Sequence, residues 1–425
     1  MKHYDYDQIT IFDLILPQFQ IDRPIRLIEL FAGIGSQAMV LRDLGADFEH
    51  WRVVEFEPNT VTSYNAIHGT HFEPQDITKI TGADLGITDT EKYCYIMTYS
   101  FPCQDLSSAG KQRGMKKGSG TRSGLLWEVE RLLNEVGSLP QVLLMENVTE
   151  VHGERNAGHF QDWISFLESK GYSNYWQDIN ASDYGVAQNR DRCIMVSILG
   201  QYNYKFPRRI QLEKTMEDYL EPDVESRYFV KTEKAERLIQ RLIDEGQIEQ
   251  GIIQIEETEG ALKMENPGIV VVGSLNPEKE IQDRVRVLGV DGICQALRAT
   301  DYKDPPKILG TIYTDVSEDF QRGLYLIARC VKASAHDLGI VQMQAERREE
   351  GGAVYLMRTY FVRRLTAREC WRLMDFSDSD YEKAEAVNSQ SQLYREAGNS
   401  IVKNVLMAVF GQMLPGKEAA YNGRK

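Results

Sequence analysis

The stretch that most constrains this chain is Ile25-Arg26-Leu27-Ile28-Glu29-Leu30-Phe31, which runs straight into Ala32-Gly33-Ile34-Gly35-Ser36. The first part reads as a strand. A helical pattern with Ala38, Met39, Leu41 and Leu44 follows. A strand, a glycine turn and a helix form the opening unit of a nucleotide-binding α/β fold. The glycines let the backbone approach a ligand closely and leave the helix N-terminus free to face it. Only G-x-G is present, so the full G-x-G-x-x-G of a dinucleotide site is absent. Trp51 to Glu57 reads as the next strand, with Glu55 about twenty residues past the glycines, where an acid meets ribose hydroxyls. The bland reading of Glu55 is an acid at the start of a helix opened by Pro58. Phe56 beside it could stack on an adenine face, and Asp76 in Gln75-Asp76-Ile77-Thr78 could bond an exocyclic amine.

A second feature is Tyr99-Ser100-Phe101-Pro102-Cys103-Gln104-Asp105-Leu106. It follows the β-type run Tyr93–Thr98 and opens into a loop rich in Gly, Lys and Arg, residues 107–118. Loops set on a rigid sheet are where chemistry tends to sit. Cys103 is therefore either an activated nucleophile or a half-buried structural thiol.

Leu125, Leu126, Val129, Leu132, Leu133 and Val136 follow the helical period, ended by Gly137 and Pro140. Gln141 to Met145 is then a continuous apolar run of buried-strand type, finishing at Glu146-Asn147-Val148. A carboxylate at that edge lies where open α/β sheets bind ligands, and burial there would raise its pKa. Another helix is expected over 160–167. Arg190 and Arg192 alternate just before the strand Cys193–Val196, so they point the same way. Their bland reading is a pair of surface salt bridges.

At 425 residues the chain calls for two domains, and no apolar run approaches the roughly 20 residues of a membrane span. Residues 11–17 are too short and too acidic in their flanks for a signal peptide. The six cysteines contain no C-x-x-C pair, so no metal site is expected, and their scatter suggests a reducing cytoplasm. A net charge of −14 argues against a protein basic all over, but not against a basic cleft. Basic clusters occur at 111–122, at Lys205, Arg208 and Arg209, at Arg347 and Arg348, and at Arg363, Arg364 and Arg368; any one alone reads as a solvated face. Beyond about residue 201 the strand–helix rhythm is lost. A helix within 231–245 and short β-type pieces at 269–272, 284–288 and 324–328 suggest a smaller, irregular β domain. Thr366 and Glu369 form a capping-box pattern, and Gly398-Asn399-Ser400 forms a turn before an apolar helix.

Six segments in this order resemble the DNA (cytosine-5)-methyltransferase family, of the bacterial or phage modification type. They are Phe31–Gly35, Phe101–Gln104, Met145–Val148, Gln188–Arg192, Leu365–Cys370 and Gly398–Ile401, and they span nearly the whole chain. The resemblance implies a Rossmann-like methyltransferase domain over 1–200 and 376–425, with a mostly β target-recognition domain over 201–375. It implies Cys103 as the nucleophile toward cytosine carbon 6, Glu146 as the acid at ring nitrogen 3, and Arg192 on the cytosine O2 with Arg190 close by. It implies that S-adenosylmethionine, leaving as S-adenosylhomocysteine, is held by Phe31, Ala32, Gly33, Gly35, Glu55, Phe56, Asp76, Ile77, Pro102, Leu126, Asn399 and Ser400. The expected partners are double-stranded DNA and a cognate restriction endonuclease, with no membrane, for a cytoplasmic monomer.

The chain departs from the family where Ser36 and Asp375 stand for glycine and Ala367 for proline. None of these removes a catalytic group, so an active enzyme is expected. A silent DNA-binding relative would lack Cys103 or Glu146. A tRNA cytosine-5 methyltransferase is the nearer alternative, disfavoured by the long region between Arg192 and Leu365. A nicotinamide dehydrogenase would leave Cys103 and Glu146 without work.

Overall fold

The computed structural model describes residues 16–106, 113–222, 224–248, 251–255, 271–276, 286–290, 292–315 and 354–422. Its first unit is β1 (Ile25–Leu30), a turn and α1 (Ser36–Asp43), as the sequence pattern requires. There follow β2 (Phe48–Val54), α2 (Pro58–His68), β3 (Cys94–Tyr99), α3 (Leu126–Glu135), β4 (Val142–Asn147) and α4 (Ala157–Ser169). Next come β5 (Tyr172–Asn180), the short β6 (Gln188–Asn189) and β7 (Asp191–Leu199). Six of these strands form one sheet in the order β2-β1-β3-β4-β7-β5. β1 to β4 run parallel, while β7 lies antiparallel between β4 and β5. The sheet is Rossmann-like in its parallel half and reversed at one strand.

Every residue of β3 and β4 is buried, as strands covered on both faces must be. Alternation along the strands divides the core. Ile25, Leu27, Ile96 and Leu144 join the cluster containing α1, whereas Leu30, Met97, Leu143 and Met145 join the one containing α3 and α4. In α3, Leu126, Val129, Leu132 and Leu133 are buried at the predicted spacing.

The chain continues with α5 (Glu233–Asp244), β8 (Gly251–Ile255), β9 (Val271–Ser274), β10 (Arg286–Gly289), β11 (Cys294–Gln295), β12 (Lys307–Asp315) and β13 (Val354–Arg364), most of whose strands form a second sheet. That sheet runs β8-β13-β12-β10-β9 and is more regular than expected, because β12 pairs with β13 over nine residues. Its small core joins Ala235, Leu238 and Leu242 of α5 to Val287, Leu309 and Val362. The expected β piece at 324–328 lies outside the described residues, as do Lys111, Arg347 and Arg348.

The chain then forms α6 (Ala367–Arg372), α7 (Asp378–Glu385), α8 (Gln390–Asn399) and α9 (Lys403–Gly411). Leu365, Cys370, Trp371, Leu373 and Met374 pack in the same core as α1 and α9, and so do Tyr204, Leu212, Met216 and Tyr219. Residues 204–219 and 365–374, which lie within the 201–375 span expected for the small domain, therefore pack with the large sheet. Arg42 of α1 grips Asp380 through two bonds of 2.9 and 2.8 Å, and Lys403 reaches Asp43 at 3.2 Å. Among the described residues no helix is long and apolar enough to cross a membrane.

Candidate active site

Cys103 sits four residues beyond the end of β3, on a loop fixed from two sides. Asn147, at the end of β4, donates from Nδ2 to Phe101 O at 2.9 Å. Ser123 Oγ donates to Pro102 O at 2.6 Å. Asp105, 3% exposed, accepts from Arg113 Nε and from Arg122 N, both at 2.9 Å, and its own N–H bonds Ser123 Oγ. A buried carboxylate with several donors is a strong local anchor. It ties the polypeptide on both sides of residues 107–112, which lie outside the described set, to the Cys103 turn.

Glu146, 7% exposed, meets Arg192 of the neighbouring antiparallel strand, with 3.0 Å between Oε1 and Nε. Burial pushes the Cys103 thiol up; the Glu146 charge adds to this, and Arg192 and Arg190 oppose it. These four side chains are close enough to feel one another's charge. The two arginines do different work. Arg192 pairs with the acid, whereas Arg190 is buried and donates to three main-chain carbonyls, those of Leu297, Gly398 and Ser400. Burial lowers the Arg190 pKa to about 9, with the Arg192 charge acting in the same direction.

The glycine turn forms a second part of the site at the end of β1. Gly33 has φ +57, and a Cβ built there would meet nothing within 4 Å, so the turn borders open space. Gly35 has φ +80 and is packed so tightly that a Cβ would stand 2.4 Å from His68 Nε2 and 2.6 Å from Tyr64 Cε2. Phe31 shares the left-handed backbone at φ +56, a strained conformation for an aromatic residue. No side chain caps the N-terminus of α1. Glu55 has one oxygen on Gly33 N at 3.0 Å and the other on Glu57 N at 2.9 Å. Its first work is to hold the turn, and each oxygen keeps a lone pair for a hydroxyl. Phe56 stands 70% exposed beside it, a rare posture for a large apolar ring. Asp76 Oδ1 accepts from Thr78 N and Oγ1, which lowers its pKa. Ala32, Ile77 and Leu126 are buried. Asn399 is exposed, while Ser400 is buried with its hydroxyl on Glu396 O at 2.7 Å.

The profile of the family described as C-5 cytosine-specific DNA methylase matches residues 25–415. The chain belongs to that family. This methylase is 28% identical over 437 residues to the type II methyltransferase M2.ScrFI of Lactococcus lactis subsp. cremoris, covering 92% of this chain and 99% of the relative. It is 26% identical over 388 residues to the type II methyltransferase M.HhaI of Haemophilus parahaemolyticus, covering 91% and 93%. The Entamoeba histolytica methyltransferase EhMeth shares its fold, with a TM-score of 0.59, 13% identity, and coverage of 92% and 98%.

The methylase's three departures now have local explanations. Ser36 is the first residue of α1 and needs no positive φ. Ala367 stands first in α6 behind the Thr366 cap, a position where proline is merely preferred. Asp375 is different, because its φ is +62, a backbone that glycine adopts without strain.

Some basic residues of the methylase are structural rather than available to phosphates. Arg363 is 2% exposed and grips both oxygens of the fully buried Glu369, at 2.8 and 2.7 Å. Arg368 is shared among Glu221, Asp378, Glu382 and Glu385. Sequence reasoning also missed Asp105, Asn147 and Gln188, whose work is to bond backbone at a distance. Their only signal was adjacency to the Cys103, Glu146 and Arg190 segments. His152 Nε2 pairs with Asp178 at 2.9 Å beside buried Cys193, and the three ligand atoms lie within 4.8 Å of one another, a cluster with no sequence spacing to announce it.

Proposed function

We propose that the protein transfers a methyl group from S-adenosylmethionine to carbon 5 of a cytosine flipped out of a specific double-stranded DNA site, through a covalent adduct of Cys103. One observation carries this reading: Cys103 lies on a braced loop within electrostatic reach of the Glu146–Arg192 ion pair.

S-adenosylmethionine supplies an electrophilic methyl group when bound. The open space at Gly33, the exposed Phe56 ring and the uncapped α1 N-terminus suit its methionine and adenosine parts. Glu55 and Asp76 are polar partners for its hydroxyls and exocyclic amine, and Asn399 and Ser400 close the far side. Carbon 5 of cytosine is a weak nucleophile, so adding the Cys103 sulfur to carbon 6 divides one hard step into easier ones. The carbon 5–carbon 6 electron pair moves into the ring, and a proton held by Glu146 goes to nitrogen 3. Arg192 holds Glu146 and the cytosine O2. Carbon 5 then takes the methyl group; solvent water takes the carbon 5 proton, the electron pair left behind expels the Cys103 sulfur as thiolate, and nitrogen 3 returns its proton to Glu146, which restores the aromatic ring.

The target carbon is stacked inside the duplex, so the base must be flipped out, at a cost of a few kcal/mol. The small domain reads base edges in the major groove. The enzyme acts as a modification methyltransferase of the restriction-modification or phage self-protection kind.

DNA carrying 5-fluorocytosine tests this, because fluorine at carbon 5 cannot leave as a proton. With S-adenosylmethionine present, wild type forms a complex that survives denaturing electrophoresis, and Cys103→Ser forms none. A Cys103→Ser enzyme that turns over normally refutes the nucleophile. Bisulfite sequencing of DNA from expressing cells identifies the target cytosine.

A further inference from the structure

Two distant segments converge on one buried guanidinium. Arg190 Nη1 donates to Leu297 O at 2.7 Å, while Nη2 donates to Gly398 O at 3.1 Å and Ser400 O at 2.8 Å. Leu297 belongs to residues 292–306, an excursion that leaves the small sheet between β10 and β12 and packs Ile293, Cys294 and Leu297 into the large core. Gly398 and Ser400 flank Asn399 at the C-terminal end of α8, helical where the sequence pattern predicts a turn, in the segment assigned above to the methyl donor.

The same two segments also touch directly. A Cβ at Gly398 would stand 2.1 Å from Arg298 C and 2.2 Å from Ala299 N, so only glycine permits this approach. Gln188, two residues before Arg190, repeats the pattern. Its Nε2 donates to Leu373 O at 2.7 Å, and its Oε1 accepts from Leu297 N at 3.2 Å. β11 adds parallel pairing with β6. Two residues after Arg190 stands Arg192, on Glu146.

We propose that Arg190 is a positioning residue that couples methyl-donor binding to DNA binding, by holding the end of α8 at 398–400 and the 292–306 excursion in one register. This rests on the reading of 398–400 as a donor contact and of the small domain as the DNA reader. Pulling either segment away strips acceptors from a buried cation, so a ligand that settles one segment settles the other. Such coupling is reciprocal by thermodynamic linkage. A lysine at 190 keeps the charge but lacks the planar fork that serves carbonyls on two sides.

Equilibrium dialysis of labelled S-adenosylhomocysteine against the full chain, with and without saturating sheared unmethylated genomic DNA, tests the proposal. In wild type, DNA tightens binding by about fivefold or more. In Arg190→Lys and in Gly398→Ala that ratio falls toward one, while thermal melts report whether each variant is folded. A folded Arg190→Lys with the wild-type ratio overturns the inference. So does a wild type that binds both ligands independently, and then the donor and DNA readings survive. A wild type that binds neither ligand refutes those readings and the coupling together. Hydrogen exchange on wild type is independent of variant folding: S-adenosylhomocysteine alone slows amides in 292–302, and unchanged exchange there overturns the coupling.

Discussion

Arg192 Nε lies 3.0 Å from Glu146 Oε1, although the antiparallel register of β4 and β7 sets Glu146 opposite Ile194. The arginine reaches back along the sheet from two residues away. The contact therefore depends on both strands keeping their register, and it places a fixed cation beside the proposed acid.

Glu146→Gln keeps the shape but cannot pass a proton to nitrogen 3. Single-turnover methyl transfer should fall by about 10²–10⁴-fold, with S-adenosylhomocysteine binding nearly intact. Arg192→Ala should also slow transfer, because it leaves Glu146 buried without its cation. Unchanged single-turnover rates in Glu146→Gln would remove the acid from the mechanism.

The Cys103 thiol is pushed up chiefly by burial, then by Glu146. Its thiolate should appear only above the pH range of an unperturbed cysteine. Alkylation of Cys103 by iodoacetamide, followed by mass spectrometry, should rise with pH to a midpoint above that of a cysteine peptide. Glu146→Gln, which removes a neighbouring negative charge, should bring the midpoint down. A wild-type midpoint at or below the peptide's contradicts the assignment.

Glu29, the penultimate residue of β1, is fully buried and accepts from Tyr64 OH at 2.5 Å. Burial raises its pKa from 4.5 to about 7 against the opposing effect of that bond. The fold thus favours the protonated acid. Its contribution to stability is complete below the unfolded value and is lost as pH rises through about 7. Glu29→Gln is neutral throughout and should flatten the loss, with a gain on the order of 3 kcal/mol above that range. Glu396, raised to about 8 by burial, acts with the same sign, so some slope persists. Urea midpoints measured across this range decide the matter; a slope equal to wild type rejects it.

At Asp375 the backbone, not the side chain, predicts the response. Its φ of +62 suits glycine and penalises β-branched residues. Asp375→Gly should melt at or above the wild-type temperature. Asp375→Val should melt lower, by an amount reflecting roughly 1–2 kcal/mol of left-handed strain. Equal melting temperatures for the two variants would contradict the conformational account.

The large sheet was legible because its strands are short apolar runs ending in the site's own residues, such as Met145 before Glu146. The helices at 126–135 and 233–244 announced themselves by apolar spacing. β5 did not, since Tyr172 to Asn180 is a largely polar edge strand with no clean alternation. The division of labour between Arg190 and Arg192 was also hidden. Both alternate toward one side, and only the arrival of Leu297, Gly398 and Ser400 separates a buried clamp from a cation beside an acid. Glu55 stands just past β2, near the strand end that the pattern predicts, but its bonds to Gly33 N and Glu57 N needed the turn's three-dimensional path.

The packing of α1 against the chain's last helices has a consequence for biosynthesis. Residues 36–41 are all buried, in a core that α9 shares, and Arg42 and Asp43 are tied to Asp380 and Lys403. Residues 36–43 thus wait for partners made more than three hundred residues later. Until Lys403–Gly411 has emerged, the apolar face behind the glycine turn stays uncovered and the large domain cannot close. A nascent or prematurely terminated chain should therefore behave as a chaperone client rather than a partly working enzyme, and active protein should appear in a cell all at once or not at all.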